Sequence, residues 1–82
     1  MKLFYVSYDL RIPGQDYPKL IERLTSMGAR RVLLSMWALR GNYTTASLRD
    51  TLKAYLDSND RLVVVESADW SSWNAMVDVN TI

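Results

Sequence analysis

The chain has no cysteine and no histidine among its 82 residues. Without cysteine there is neither a disulfide framework nor a thiolate metal site, and nothing argues for an oxidising compartment, so a reducing cytoplasm is the default expectation. Without histidine the commonest general base and the commonest metal ligand are both missing. Any catalysis has to come from carboxylates, hydroxyls, arginine or lysine. Glycine and proline are scarce, at three and two residues, and no glycine-rich phosphate loop, zinc spacing or dinucleotide fingerprint is present. Long apolar runs are lacking as well. The opening MKLFYVSYDL is broken by Asp9 and is too short and too polar for a signal peptide or a membrane span. No repeat, low-complexity segment or linker interrupts the chain.

What remains has the size of a single domain, residues 1–82, in which 49% of the side chains are hydrophobic. At this length one core hides only about 60% of the unfolded chain's surface, so stability is marginal and help from a second subunit is expected. The formal net charge is +1, but it is unevenly divided: residues 1–40 hold seven basic and three acidic side chains, residues 41–82 three and six. The asymmetry allows a basic patch of Arg11, Arg30, Arg31 and Arg40 that could meet phosphate, although solvated loops and strand ends are the commoner use of such charges.

Hydrophobic periodicity predicts the element order. Lys2 to Leu10 is rich in β-branched and aromatic residues and reads as a central strand, with Phe4, Val6 and Tyr8 on one side and Leu3, Tyr5 and Ser7 on the other. Arg11, Pro13 and Gly14 end it. Asp16 is the expected N-cap of a helix over residues 17–27, whose Leu20, Ile21, Leu24 and Met27 form one apolar stripe before Gly28 closes it. Residues 29–40 are again β-rich and read as two strands in a tight hairpin broken near Ser35, without an Asn-Gly turn to mark the break. Thr44 or Thr45 caps a second helix through Leu56, with Leu48, Leu52, Tyr55 and Leu56 on one face and an Asp50 to Lys53 pair on the other. The turn LDSND leads to a last strand at Leu62 to Val65.

Strand, helix, strand, strand, helix, strand is the α+β, ferredoxin-like βαββαβ order: a four-stranded antiparallel sheet with two helices on one face. The strands, however, are apolar on both sides, whereas a sheet with one wet face alternates between apolar and polar residues. Something must cover the open face. The candidates are residues 67–82, with Trp70, Trp73 and a β-like run at Met76 to Val79, and a second copy of the chain. A homodimer in which that tail crosses to the partner's sheet as a fifth strand would satisfy both and hide an edge.

The sharpest candidate for chemistry is Asp9, at the tip of the central strand on the open side. Two symmetry-related copies would bring two carboxylates together, an arrangement that calls for a cation, and hard oxygen ligands select magnesium or manganese, which polarise phosphodiesters and activate water. The plain alternative is that Asp9 caps the loop that follows, a common use of aspartate. Ser7 and Ser35 lack an activating base. Tyr5, Tyr8, Trp37 and Tyr43 could stack on bases, but the aromatic-basic signature of the RNA recognition motif is absent, and core or interface packing is their commoner use.

Four stretches carry a resemblance: Tyr8-Asp9-Leu10, Pro13-Gly14-Gln15-Asp16-Tyr17, the segment Leu34-Ser35-Met36-Trp37, and Leu56-Asp57-Ser58-Asn59-Asp60-Arg61-Leu62. Over most of residues 1–66 the chain resembles the small CRISPR-associated protein that is the second core member of the spacer-acquisition machinery, and more closely its stand-alone SinR-like branch. The resemblance implies a homodimer in which Asp9 holds a divalent ion for cleavage of RNA or double-stranded DNA. A related toxin family implies ribonuclease activity, and other members grip duplex DNA as scaffolds without cutting. The basic cluster usual after the aspartate is reduced here to Arg11, and Ala38 follows Trp37 where many relatives carry an acid. The expected function is therefore a homodimeric nucleic-acid-binding protein with Asp9 as metal ligand and Arg11, Arg30, Arg31 and Arg40 on phosphate. The alternative is a non-catalytic module that docks on a nuclease or adaptation complex.

Overall fold

A computed structural model of the chain describes residues 1–11 and 17–82. The elements are β1 (Lys2–Asp9), α1 (Pro18–Ser26), β2 (Arg30–Leu33), β3 (Met36–Gly41), α2 (Thr45–Lys53) and β4 (Arg61–Glu66), followed by a 3-10 turn at Val79–Thr81. The four strands form one antiparallel sheet in the order β2-β3-β1-β4. This is the ferredoxin-like α+β arrangement expected from the sequence. Among the described residues, no helix is long and apolar enough to cross a membrane.

β1 is the centre of the sheet, pairing with β3 from Lys2↔Gly41 to Ser7↔Met36 and with β4 from Phe4↔Glu66 to Asp9↔Arg61. Its alternation sorts the core into two layers. Phe4, Val6 and Tyr8 pack with Trp37 and Leu39 against Leu20 and Leu24 of α1 and Leu48 and Leu52 of α2. Leu3 joins Val32, Ala38 and Val79 on the other face. Phe4, Val6, Leu20, Leu24, Leu39, Leu48 and Leu52 are completely enclosed, so the helix side holds most of the apolar burial that stabilises so small a domain.

The helices end where local chemistry dictates. α1 starts at Pro18, whose fixed φ suits the first helical position and whose missing N–H costs nothing there. Its N-cap is Tyr17, which makes no side-chain capping bond; the expected Asp16 cap lies outside the described residues. Gly28, at φ +82°, terminates the helix in the left-handed region that only glycine adopts freely. α2 begins with a capping box in which the Ser47 N–H donates to Thr44 Oγ1 and the Thr44 N–H donates to Ser47 Oγ, each at 3.0 Å. It stops at Lys53, one turn short of the expected Leu56, and Tyr55 and Leu56 follow in a turn closed by bonds to the carbonyls of Leu52 and Lys53. Lys53 Nζ lies 3.7 Å from Asp50, as expected, and Arg49 joins the same carboxylate at 3.0 Å.

The β2-β3 hairpin turns at Leu34-Ser35, and its register shifts between Arg31 and Leu33. That bulge, not a glycine turn, sets the break in the apolar run. At the far end of β3, Gly41 is obligatory because a Cβ there would overlap the ring of Tyr43, which packs edge-on against Phe4 with centroids 6.2 Å apart.

In the single chain the β-like run at Met76 to Val79 is not a strand. Residues 67–82 run over the chain's own sheet without joining it as a strand: Met76 N–H donates to the Val32 carbonyl at 2.8 Å, Val79 is buried, and Trp70, Val77 and Ile82 pack around it. Ser7, Val63 and Val65 on the β4 side are left exposed, the last two at 58% and 49%.

Leu24→Ala removes a fully enclosed side chain from the helix layer and is expected to cost about 2–5 kcal/mol, read as a lower urea midpoint with an unchanged m-value.

Candidate functional site

Asp9 is the last residue of β1 and is exposed. Strand alternation puts it with Leu3, Tyr5 and Ser7 on the open face, and the antiparallel register sets it directly across from Arg61, the first residue of β4. Among the described residues no three carboxylates come close enough to hold a metal ion. A single carboxylate facing an arginine does not fit a magnesium or manganese site within one protomer, because a hard divalent ion takes several oxygen ligands and is repelled by a neighbouring cation.

Just beyond Asp9 lies a clip that the sequence did not reveal. Asp60, at the end of the α2-β4 loop, accepts the Arg11 N–H on Oδ1 at 2.6 Å and the Asp57 N–H on Oδ2 at 2.7 Å. The Tyr17 hydroxyl donates to the same Oδ1 at 3.2 Å. One carboxylate thereby joins the end of β1, the start of α1 and the α2-β4 loop. Partial desolvation raises its pKa, but the two backbone donors, the Tyr17 hydroxyl and the Arg11 charge outweigh this and hold it below the ordinary carboxylate value. Desolvation, followed by the bond to Asp60 and its negative charge, raises the Tyr17 pKa. The signal available in sequence was LDSND, read only as a turn whose side chains bond their own backbone; the partners Arg11 and Tyr17 come from 49 and 43 residues away.

The four arginines assigned to phosphate do not form one patch. Arg11 sits at the β1 tip, with Nη2 3.6 Å from Asp57 Oδ2. Arg31 faces the helix side, its guanidinium 4.8 Å over the Trp37 ring, and the Trp37 Nε1–H donates to the Tyr8 hydroxyl at 3.0 Å. Arg30 and Arg40 share the open face, opposite Ala38 and Leu3 respectively. Both reach the tail: Arg40 Nε donates to the backbone oxygen of Ile82, and Arg30 Nη1 to Thr81 Oγ1 at 3.4 Å. Arg40 thus lies at the end of the sheet away from Arg11. Of the aromatic residues that could stack on bases, Tyr8 and Trp37 are buried in the helix layer and Tyr43 packs on Phe4. Tyr5 alone among them lies on the open face, partly covered by the tail.

No family model matches the chain.

The Asp60 clip carries a pH signature. A carboxyl whose folded pKa lies below its unfolded value of about 3.9 stabilises the fold above that pH, and the contribution is lost as pH falls through the folded pKa. Asp60→Asn is expected to lower stability at neutral pH and to flatten its decline below about pH 4, measured as urea midpoints across the acid range.

Proposed function

We propose that this chain is a nucleic-acid-binding protein that works as a homodimer. The observation that carries the reading is the half-covered sheet. The tail shields the β2-β3 side of the open face, while Val63 and Val65 of the edge strand β4 stay in water beside Ser7 of β1. An exposed apolar edge strand is a liability that pairing with a second copy removes. The excess of basic residues in the first half of the chain and the placement of Arg30 and Arg40 on the open face support phosphate as the ligand class.

Phosphodiester cleavage is the further part of this reading, and it rests on the resemblance and on Asp9. The metal, magnesium or manganese, would need oxygen ligands from both protomers, because one protomer offers Asp9 beside Arg61. A second reading, docking on another protein, is favoured by Trp73 and Met76, exposed at 86% and 60% on the tail. Salt separates the two: phosphate contacts release counterions and weaken steeply between low and moderate salt, whereas apolar docking does not.

Light scattering at micromolar concentration is expected to give a dimer, and Val63→Lys, which places a charge in the exposed stripe, to give a monomer; a wild-type monomer removes the dimer. Binding of RNA or duplex DNA is expected to fall steeply with salt. With magnesium or manganese, the cleavage part expects cutting by the wild type and none by Asp9→Ala; equal cutting by both identifies a contaminant and removes that part alone.

A further inference from the structure

The part of the open face under the tail has the makings of a ligand site, and the tail occupies it with little to hold it there. Among the described side chains of residues 67–82 only Val79 is buried, at 2% exposure. It is tied to the sheet by backbone bonds from Ser67 to Leu3 at its root and from Met76 to Val32, by the two arginine bonds to Thr81 and Ile82, and by the partly buried Trp70, Val77 and Ile82. A segment with few buried apolar contacts and few backbone bonds opens locally at small cost.

What it covers is chemically specific. Tyr5 lies near the middle of the face, opposite Ala38, with Leu3 two residues away on the same side. Arg30 lies beyond Ala38 on β2, and Arg40 lies diagonally from Tyr5 on β3, opposite Leu3, so both stand on the β3 side of the ring. The Arg40 charge is close enough to act on the Tyr5 hydroxyl. An aromatic ring with two guanidinium groups beside it is a platform for an unpaired base whose backbone runs along the arginine side. As things stand, those guanidinium groups meet a hydroxyl and a backbone oxygen, partners weaker than phosphate. A groove of about 340 Å³ already runs between tail and sheet, lined by Tyr5, Val32, Met36, Trp70, Trp73 and Val79. At the other end of the open face Arg61 stands opposite Asp9 in the register, whereas Arg30 and Arg40 lie beneath the strap.

We infer that residues 67–82 are a displaceable strap over a single-stranded nucleic-acid site formed by Tyr5, Arg30 and Arg40, an inference that rests on the nucleic-acid reading above. The strap and the strand compete for the same two arginines. Apparent affinity is therefore reduced by the fraction of molecules in which the strap is down, and a strap closed nine-tenths of the time lowers it about tenfold.

The test uses a labelled single-stranded oligonucleotide of about 16 nucleotides at low salt. Val79→Asn places an amide among Leu3, Val32 and Ala38 and frees the strap without changing the charge. It is expected to bind about tenfold more tightly than wild type, and adding Tyr5→Ala or Arg40→Gln to it is expected to abolish the gain. On the unmodified chain, saturating oligonucleotide is expected to speed hydrogen exchange at the Met76 amide, which the strap otherwise protects through Val32. Equal affinity in wild type and in a variant whose Met76 amide exchanges freely overturns the strap and leaves the nucleic-acid reading standing, as does Met76 protection that oligonucleotide leaves unchanged. Failure of both proteins to bind any nucleic acid overturns the two together.

Discussion

Every other part of this structure depends on β1 being enclosed in all directions. It is bonded to β3 on one edge and β4 on the other, so its peptide groups are satisfied within the sheet, and it carries large apolar side chains on both faces. A strand of that kind cannot leave one face in water without exposing Leu3 and Tyr5. Two helices solve the problem on one side, and the tail solves half of it on the other. The covered side is where Arg30 and Arg40 lie, and the uncovered side is where β4 presents Val63 and Val65.

The arginines show how a strand redistributes a charge cluster. Arg30 and Arg31 are adjacent in sequence, and the alternation of β2 sends one to the open face and the other over Trp37 on the helix side. Arg40 follows the same rule at the end of β3, and Arg11 is drawn to Asp57 at the far tip of β1. A guanidinium satisfied by an aromatic face or a carboxylate has already been stabilised within the fold. Those satisfied only by a hydroxyl and a backbone oxygen keep most of their capacity for a better partner.

The end of the sheet near Asp9 is organised by neutralisation. Asp9 faces Arg61, Asp57 meets Arg11, and Asp60 takes three donors. The exposed Arg11–Asp57 ion pair contributes about 1 kcal/mol or less, but the Asp60 bonds connect segments far apart in the chain. They set the geometry in which Asp9 is presented.

Most of the architecture was legible in the sequence because it follows from local rules. Period-two apolar runs specified the strands, period-three-to-four stripes at Leu20-Leu24 and Leu48-Leu52 specified the helices, and Gly28 and Thr44 marked two of their ends. The hairpin at Leu34-Ser35 was legible in position but not in cause, since the bulge after Arg31 carries no residue signature. The need for a cover on the open face could also be read, from Leu62 to Val65 and from Leu3 and Tyr5, because two-sided apolarity is a property of the strand alone. The identity of the cover was not legible, nor were the three donors to Asp60, the opposition of Asp9 to Arg61 or the tethering of Arg30 and Arg40 to the tail. Those depend on contacts between residues dozens of positions apart, and pairing at that range is decided by which strands become neighbours and in what register, information that exists only once the chain has folded.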